Sequence, residues 1–151
     1  MEQFNNKSET FFREIRKIEI YKSETVQYID NYNGVFPNSN TALYVFDVVP
    51  DSFSREIKRK KTADNYYHEI NIEFPLLKID TANVGKYQSY FNDKKFAVIL
   101  ISNTEKTLLG NHREPLTIEI FDEKTDDNSG NDKYILSITG ETIINPKLQN
   151  L

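Results

Sequence analysis

YYHEINIEFPL, Tyr66 to Leu76, decides the fold. Ile70, Ile72, Phe74 and Leu76 fall on one side of an extended chain, and Glu69, Asn71 and Glu73 on the other. Strict alternation is the period of a β-strand with one face on a core and one in water. Pro75 falls on the polar side, and because proline cannot donate to a ladder it predicts an edge strand or a bulge at that point. Leu77 and Ile79 carry the apolar pattern on in the opposite phase, as a bulge produces.

Working outward, FAVILI at Phe96 to Ile101 is apolar throughout and reads as a central strand. Ala42 to Val49, ALYVFDVV, reads as a second strand buried on both faces. Ser102 to Lys106 reads as a turn, and Thr107 to Leu109 as a strand pairing back and ending at Gly110. Leu116, Ile118 and Ile120 alternate with Thr117 and Glu119, which gives another strand. Tyr134 to Ile138 returns across the polar tip Thr125 to Lys133 and is closed by Gly140. Asn31 to Thr41 gathers Asn, Gly, Pro and Ser and is a loop. Val84, Tyr87 and Phe91 have helical spacing within Thr81 to Lys95. Glu9 to Lys17 fits a short helix capped by Thr10, while Ile18, Ile20 and Val26 fit strands, so this stretch stays open. Short strands joined by turn-rich loops make the expected fold mainly β: an antiparallel β-sandwich or small barrel with one or two short helices.

The chain has 151 residues, the size of one domain with its own core, so residues 1–151 are read as a single β-rich domain. The termini, about 1–8 and 145–151, are polar and open-ended, and tails of this kind order on assembly. There is no cysteine, which removes thiolate metal sites and disulfides and suits a cytoplasmic setting. Residues 1–22 hold no apolar core of a secretory leader, and no run approaches the roughly 20 apolar residues that span a bilayer. A net charge of -4 argues against a dedicated nucleic-acid binder, which carries a basic surface. Nine Tyr and ten Phe are too many for a disordered chain and point to aromatic packing.

Candidate chemistry is sparse. GxSxG, Walker A and GxGxxG patterns are absent, so neither an enzyme nor a cofactor is expected. His68 and His112 lie far apart with no ligand pattern beside either, and no metal site is assigned to them. The acidic run holds Asp122, Glu123, Asp126, Asp127 and Asp132 around Gly130, oxygens of the kind calcium takes. The calcium-loop order is wrong: with Gly130 in the glycine position, Thr125 and Ser129 occupy ligand places and no Glu closes the loop. A solvated hairpin tip is the plainer reading. Arg55, Lys58, Arg59, Lys60 and Lys61 form a basic run diluted by Glu56 and Asp64. Its plain reading is a solvated loop or helix face; its functional one is a dock for an acidic protein surface, with DNA a distant third.

The last third carries a resemblance. KKFAVILIS leads through a turn to LLGNHREPLTIEIF, then to a polar tip, YILSITGET and a closing NP. In this order Leu108, Leu109, Gly110, Glu114, Pro115, Leu116, Tyr134, Thr139, Gly140 and Glu141, over about residues 95–146, resemble small structural proteins of Bacteroidetes phages and prophages. The resemblance implies a virion component of the neck, ring or tail region, made in the host cytoplasm and acting through protein–protein contacts. It implies no catalytic residue.

On that footing the expected partners are further copies of the chain and other virion proteins, with no membrane and no nucleic acid. The candidate interaction residues are Arg55, Lys58, Arg59, Lys60 and Lys61 on one side and Asp122, Asp126, Asp127 and Asp132 on the other. In a ring, the basic face of one subunit would meet the acidic tip of the next. A non-catalytic β-sandwich binding module, with Tyr and Phe lining a ligand site, is the second reading.

Overall fold

A computed structural model describes residues 14–30, 33–49, 52–76, 81–92, 94–122, 134–143 and 147–150. Strands run in chain order β1 (Lys17–Lys22), β2 (Tyr28–Asp30), β3 (Asn33–Gly34), β4 (Tyr44–Asp47), β5 (Ser54–Lys61) and β6 (Tyr66–Leu76). After the helix α1 (Thr81–Phe91) come β7 (Phe96–Ile101), β8 (Glu105–Leu109), β9 (Thr117–Asp122), β10 (Tyr134–Thr142) and β11 (Lys147–Asn150).

One antiparallel sheet has the order β11-β8-β7-β1-β4, a second has β5-β6-β10-β9, and β2 and β3 pair by themselves. The two larger sheets share one buried cluster. Ile18, Ile20, Val98, Leu100 and Leu109 come from the first sheet, and Ile70, Ile72, Phe74, Ile118, Ile120, Leu136 and Ile138 from the second. Alternation explains the arrangement: every second residue of β6, β9 and β10 enters this core. The architecture is therefore sandwich-like and mainly β. The buried run of β7 has a different cause. Ala97 and Ile99 face away from the shared core into a second cluster with Tyr21, Val26 and Leu108, against which Phe36 and Ala42 pack. The first sheet is thus covered on both sides over its centre.

α1 packs along β9 and closes a flank of the sandwich with rings. Tyr87 stands edge-on to Tyr44 at 5.3 Å between centroids, and Phe91 edge-on to Phe96 at 5.3 Å, the geometry aromatic quadrupoles favour. Tyr90 joins the same group of rings, edge-on to Tyr44 at 5.1 Å and to Phe91 at 5.7 Å.

Several expectations change in contact with the fold. β4 is not buried on both faces: it is the edge of its sheet, with Val45 52 % exposed and Tyr44 and Phe46 packed on the core. The basic run is neither loop nor helix but the strand β5. β6 is internal, and Pro75 is tolerated because it lies past the last β5 rung, Ser54↔Glu73, where that flank has no ladder to interrupt. β10 does not close at Gly140 but runs through it to Thr142. Lys17 belongs to β1, so the strand alternative holds for Ile18 and Ile20, while Val26 is buried outside any strand. Part of the C-terminal tail, Lys147–Asn150, pairs with β8. The bulge expected at Leu77 and Ile79, the helix start before residue 14 and the tail 1–8 lie outside the described residues.

Candidate functional site

Gly110, Glu114, Pro115, Leu116 and Gly140, from among the residues that carry the resemblance, meet at one corner, whereas Tyr134 lies at the other end of β10. β8 ends at Gly110, whose φ of +85° is open to glycine and strained for other residues. Asn111 then forms a tight turn: its side-chain oxygen accepts from the backbone N–H of Arg113 at 2.9 Å and of Glu114 at 3.0 Å. Glu114 reaches across to the end of β10. Its carboxylate accepts from Thr142 Oγ1 at 2.8 Å and from the Ile143 N–H at 2.7 Å. Leu116 is fully buried and exchanges two backbone hydrogen bonds with Phe96, at 2.9 and 2.7 Å. That bridge joins β7 of one sheet to the entry of β9 in the other. A Cβ at Gly140 would stand 2.4 Å from Leu116 Cδ2, and one at Gly110 3.0 Å from Leu116 Cγ. Two glycines thus make the slot that Leu116 fills.

The basic residues sit elsewhere, on β5, an edge strand of the second sheet among the described residues. β5 carries five basic residues and one acid. Only Ile57 of the strand packs against the core from a half-buried position. Alternation splits the charges between the two faces. Lys58 and Lys60 lie on the solvent face, and both are paired there: Lys58 with Glu56 at 3.0 Å, Lys60 with Glu69 at 2.8 Å. The hydrogen bond and charge of Glu69 raise the Lys60 ammonium above its ordinary value, and Lys60 lowers the Glu69 carboxyl in return. Arg55, Arg59 and Lys61 lie on the other face, in phase with Ile57, and no carboxylate among the described residues pairs with them.

That second face runs out beyond the sandwich. β10 pairs with β6 only as far as Thr142↔His68, while β5 follows β6 to Lys61↔Tyr66. The β5–β6 hairpin therefore overhangs. Its turn is tied by the Thr62 N–H to the Asn65 carbonyl at 2.8 Å. On the overhang the Arg59 guanidinium lies 3.9 Å from the centroid of the Tyr66 ring, which is 50 % exposed. His68 sits opposite Arg59, and its Nδ1 is buried without a hydrogen-bond partner. The acidic partner run behaves differently: Asp122 is the last residue of β9, and Asp126, Asp127 and Asp132 lie outside the described residues.

Two features escaped the sequence. Lys22, Lys94 and Lys95 line a groove of about 400 Å³ with Ser23, Glu24, Tyr90 and Phe96. Lys94 lies 3.8 Å from the Tyr90 centroid. The only signal for the groove is the register Lys22↔Phe96, which brings the end of β1 to the start of β7 and is invisible without the pairing. Glu19 is buried and accepts from the Tyr21 hydroxyl at 3.1 Å. Burial first, then the Glu19 charge and its hydrogen bond, push the Tyr21 phenol far above its ordinary value. His68 and His112 serve separate places, since His112 Nδ1 lies 3.2 Å from the Val26 carbonyl oxygen. Among the described residues no three His, Asp or Glu side chains gather to hold a metal ion. No helix among them is long and apolar enough to cross a membrane.

Compared with protein-family models, with curated proteins and with solved structures, the chain finds no match.

Proposed function

We propose that the chain is a non-catalytic assembly subunit of a bacteriophage particle, placed in the neck or tail region and acting through protein–protein contacts. The observation that carries this reading is the β5 edge: an exposed strand of 8 residues on which Arg59 stacks on Tyr66 and Arg55, Arg59 and Lys61 have no carboxylate partner among the described residues. Arginine and tyrosine are the residue types that most often anchor protein interfaces. The resemblance of residues 95–146 supplies the virion setting. The corner at Gly110, Glu114, Leu116 and Gly140 supports it in kind, because the contacts those residues make there hold strands together.

Mass spectrometry of purified particles, from a host carrying the gene in an inducible prophage, tests the reading. The chain should be present at a stoichiometric copy number. Its absence from intact particles refutes the proposal.

A binding module is the second reading, favoured by the groove between Lys22, Lys94 and Lys95, whose size lies within the range of small-ligand sites. Calorimetry with inorganic phosphate separates the two, since an assembly subunit has no need of heat at that groove and Lys95→Ala would abolish it in a module.

A further inference from the structure

The overhanging face of β5 has a chemistry that selects its occupant. Arg59 and Lys61 offer positive charge with no carboxylate among the described residues to neutralise it, and β5 is an edge strand with no partner on its outer side among the described residues. The same cations repel a second β5 and admit an acidic extended segment. The chain's most acidic stretch is Asp122 to Asp132, DEKTDDNSGND. Deepening the assembly reading and resting on it, we propose that this segment of a second copy docks on the Arg59–Lys61–Tyr66 end of the β5 face.

Chain geometry forces the contact to be between copies. The acidic segment leaves Asp122 and returns at Tyr134, and both lie on the rung of Leu76, the far end of β6 from Tyr66. At the rise of an extended strand the Leu76 and Tyr66 rungs are about 33 Å apart, and the Arg59 rung is about 26 Å away. The run of residues 123–133 must go out and come back, so it reaches at most about 20 Å from its base. A subunit cannot place its own acidic segment on its own overhang. Donor and acceptor occupy opposite ends of one molecule, which makes the contact head-to-tail.

Sedimentation velocity over a concentration series, in low and in moderate salt, tests the proposal on the full chain. The wild type should associate, and added salt should weaken association at least tenfold, since the contact is between exposed charges. Arg59→Glu with Lys61→Glu should be monomeric, and so should Asp126→Lys with Asp127→Lys. Mixed in equal amounts, the two reversed forms should associate again, because each now offers what the other lacks. Should either pair fail to fold by circular dichroism, Tyr66→Ala, expected to weaken association at least fivefold, takes its place. A wild type that stays monomeric in low salt overturns the proposal, as does a mixture that stays monomeric while each variant is folded. The chain's presence in particles would then still support the assembly reading through other partners, so the two failures are distinguishable.

Discussion

Replacing Gly140 by alanine is the sharpest test of the corner that joins the sheets. The added methyl would stand 2.4 Å from Leu116 Cδ2 and 3.5 Å from Leu116 Cα. Leu116 has no room to retreat. It is fully buried, and its Cγ already lies against Gly110, where a Cβ would meet it at 3.0 Å. Overpacking of this kind costs about 1–3 kcal/mol. Gly140 is not at positive φ, so alanine also lowers the entropy of the unfolded chain and returns about 0.4–1 kcal/mol. The net expectation is a loss of about 1–2 kcal/mol, or about 3–6 °C in melting temperature for a domain of this size. Leu116→Ala alone should cost about 2–5 kcal/mol through the cavity it leaves. In the double variant the methyl added at position 140 enters that cavity, so the two costs should fall short of additivity by about 1 kcal/mol or more. Urea denaturation of the four proteins measures the cycle. Additive losses, or a Gly140→Ala variant as stable as the wild type, would refute the slot.

Other consequences are as direct. Glu114→Gln puts an amide donor where two donors now converge, so the Ile143 N–H should lose its hydrogen-exchange protection, with a stability loss of about 1–2 kcal/mol in urea. The Tyr21 phenol has a folded pKa raised above the ordinary 10.0, so its contribution to stability is whole below that pH and is lost as the pH climbs through it. Absorbance at 295 nm should show Tyr21 ionising only with unfolding, and Tyr21→Phe should flatten the alkaline limb of the stability profile. Phe91→Ala removes a ring packed edge-on against Tyr44 and Phe96 and should cost about 3–5 kcal/mol, measured by thermal melting.

The strands that face one core were legible because they alternate. β6 and β9 follow their patterns residue by residue, and β7 declared itself by an apolar run. α1 was legible from Val84, Tyr87 and Phe91. β5 was not, because a strand exposed on both faces and rich in Lys and Arg has no hydrophobic period to read. β4 misled for the opposite reason: ALYVFDVV is apolar enough for a central strand, yet an edge position leaves Val45 in water. Gly140 looked like a stop because glycine breaks strands, and only the packed structure shows that it makes room for Leu116. The basic residues of the candidate site were named from sequence. Their division into Lys58 and Lys60, paired with carboxylates, and Arg55, Arg59 and Lys61, with no carboxylate partner among the described residues, depended on the register with β6.

The place of β1 between β4 and β7 bears on how the chain is made. β1 finds β4 soon after synthesis, but its other neighbour ends at Ile101, late in the chain. At about 5–20 residues per second, a ribosome leaves Ile18 and Ile20 on a half-paired ribbon for several seconds or more. Pairings this distant in sequence also place the domain among the slower folders, in the range of milliseconds to seconds. The interval between the emergence of β4 and of β7 is therefore when this protein is most exposed to aggregation. Synthesis rate and chaperone supply, more than final stability, should set its soluble yield.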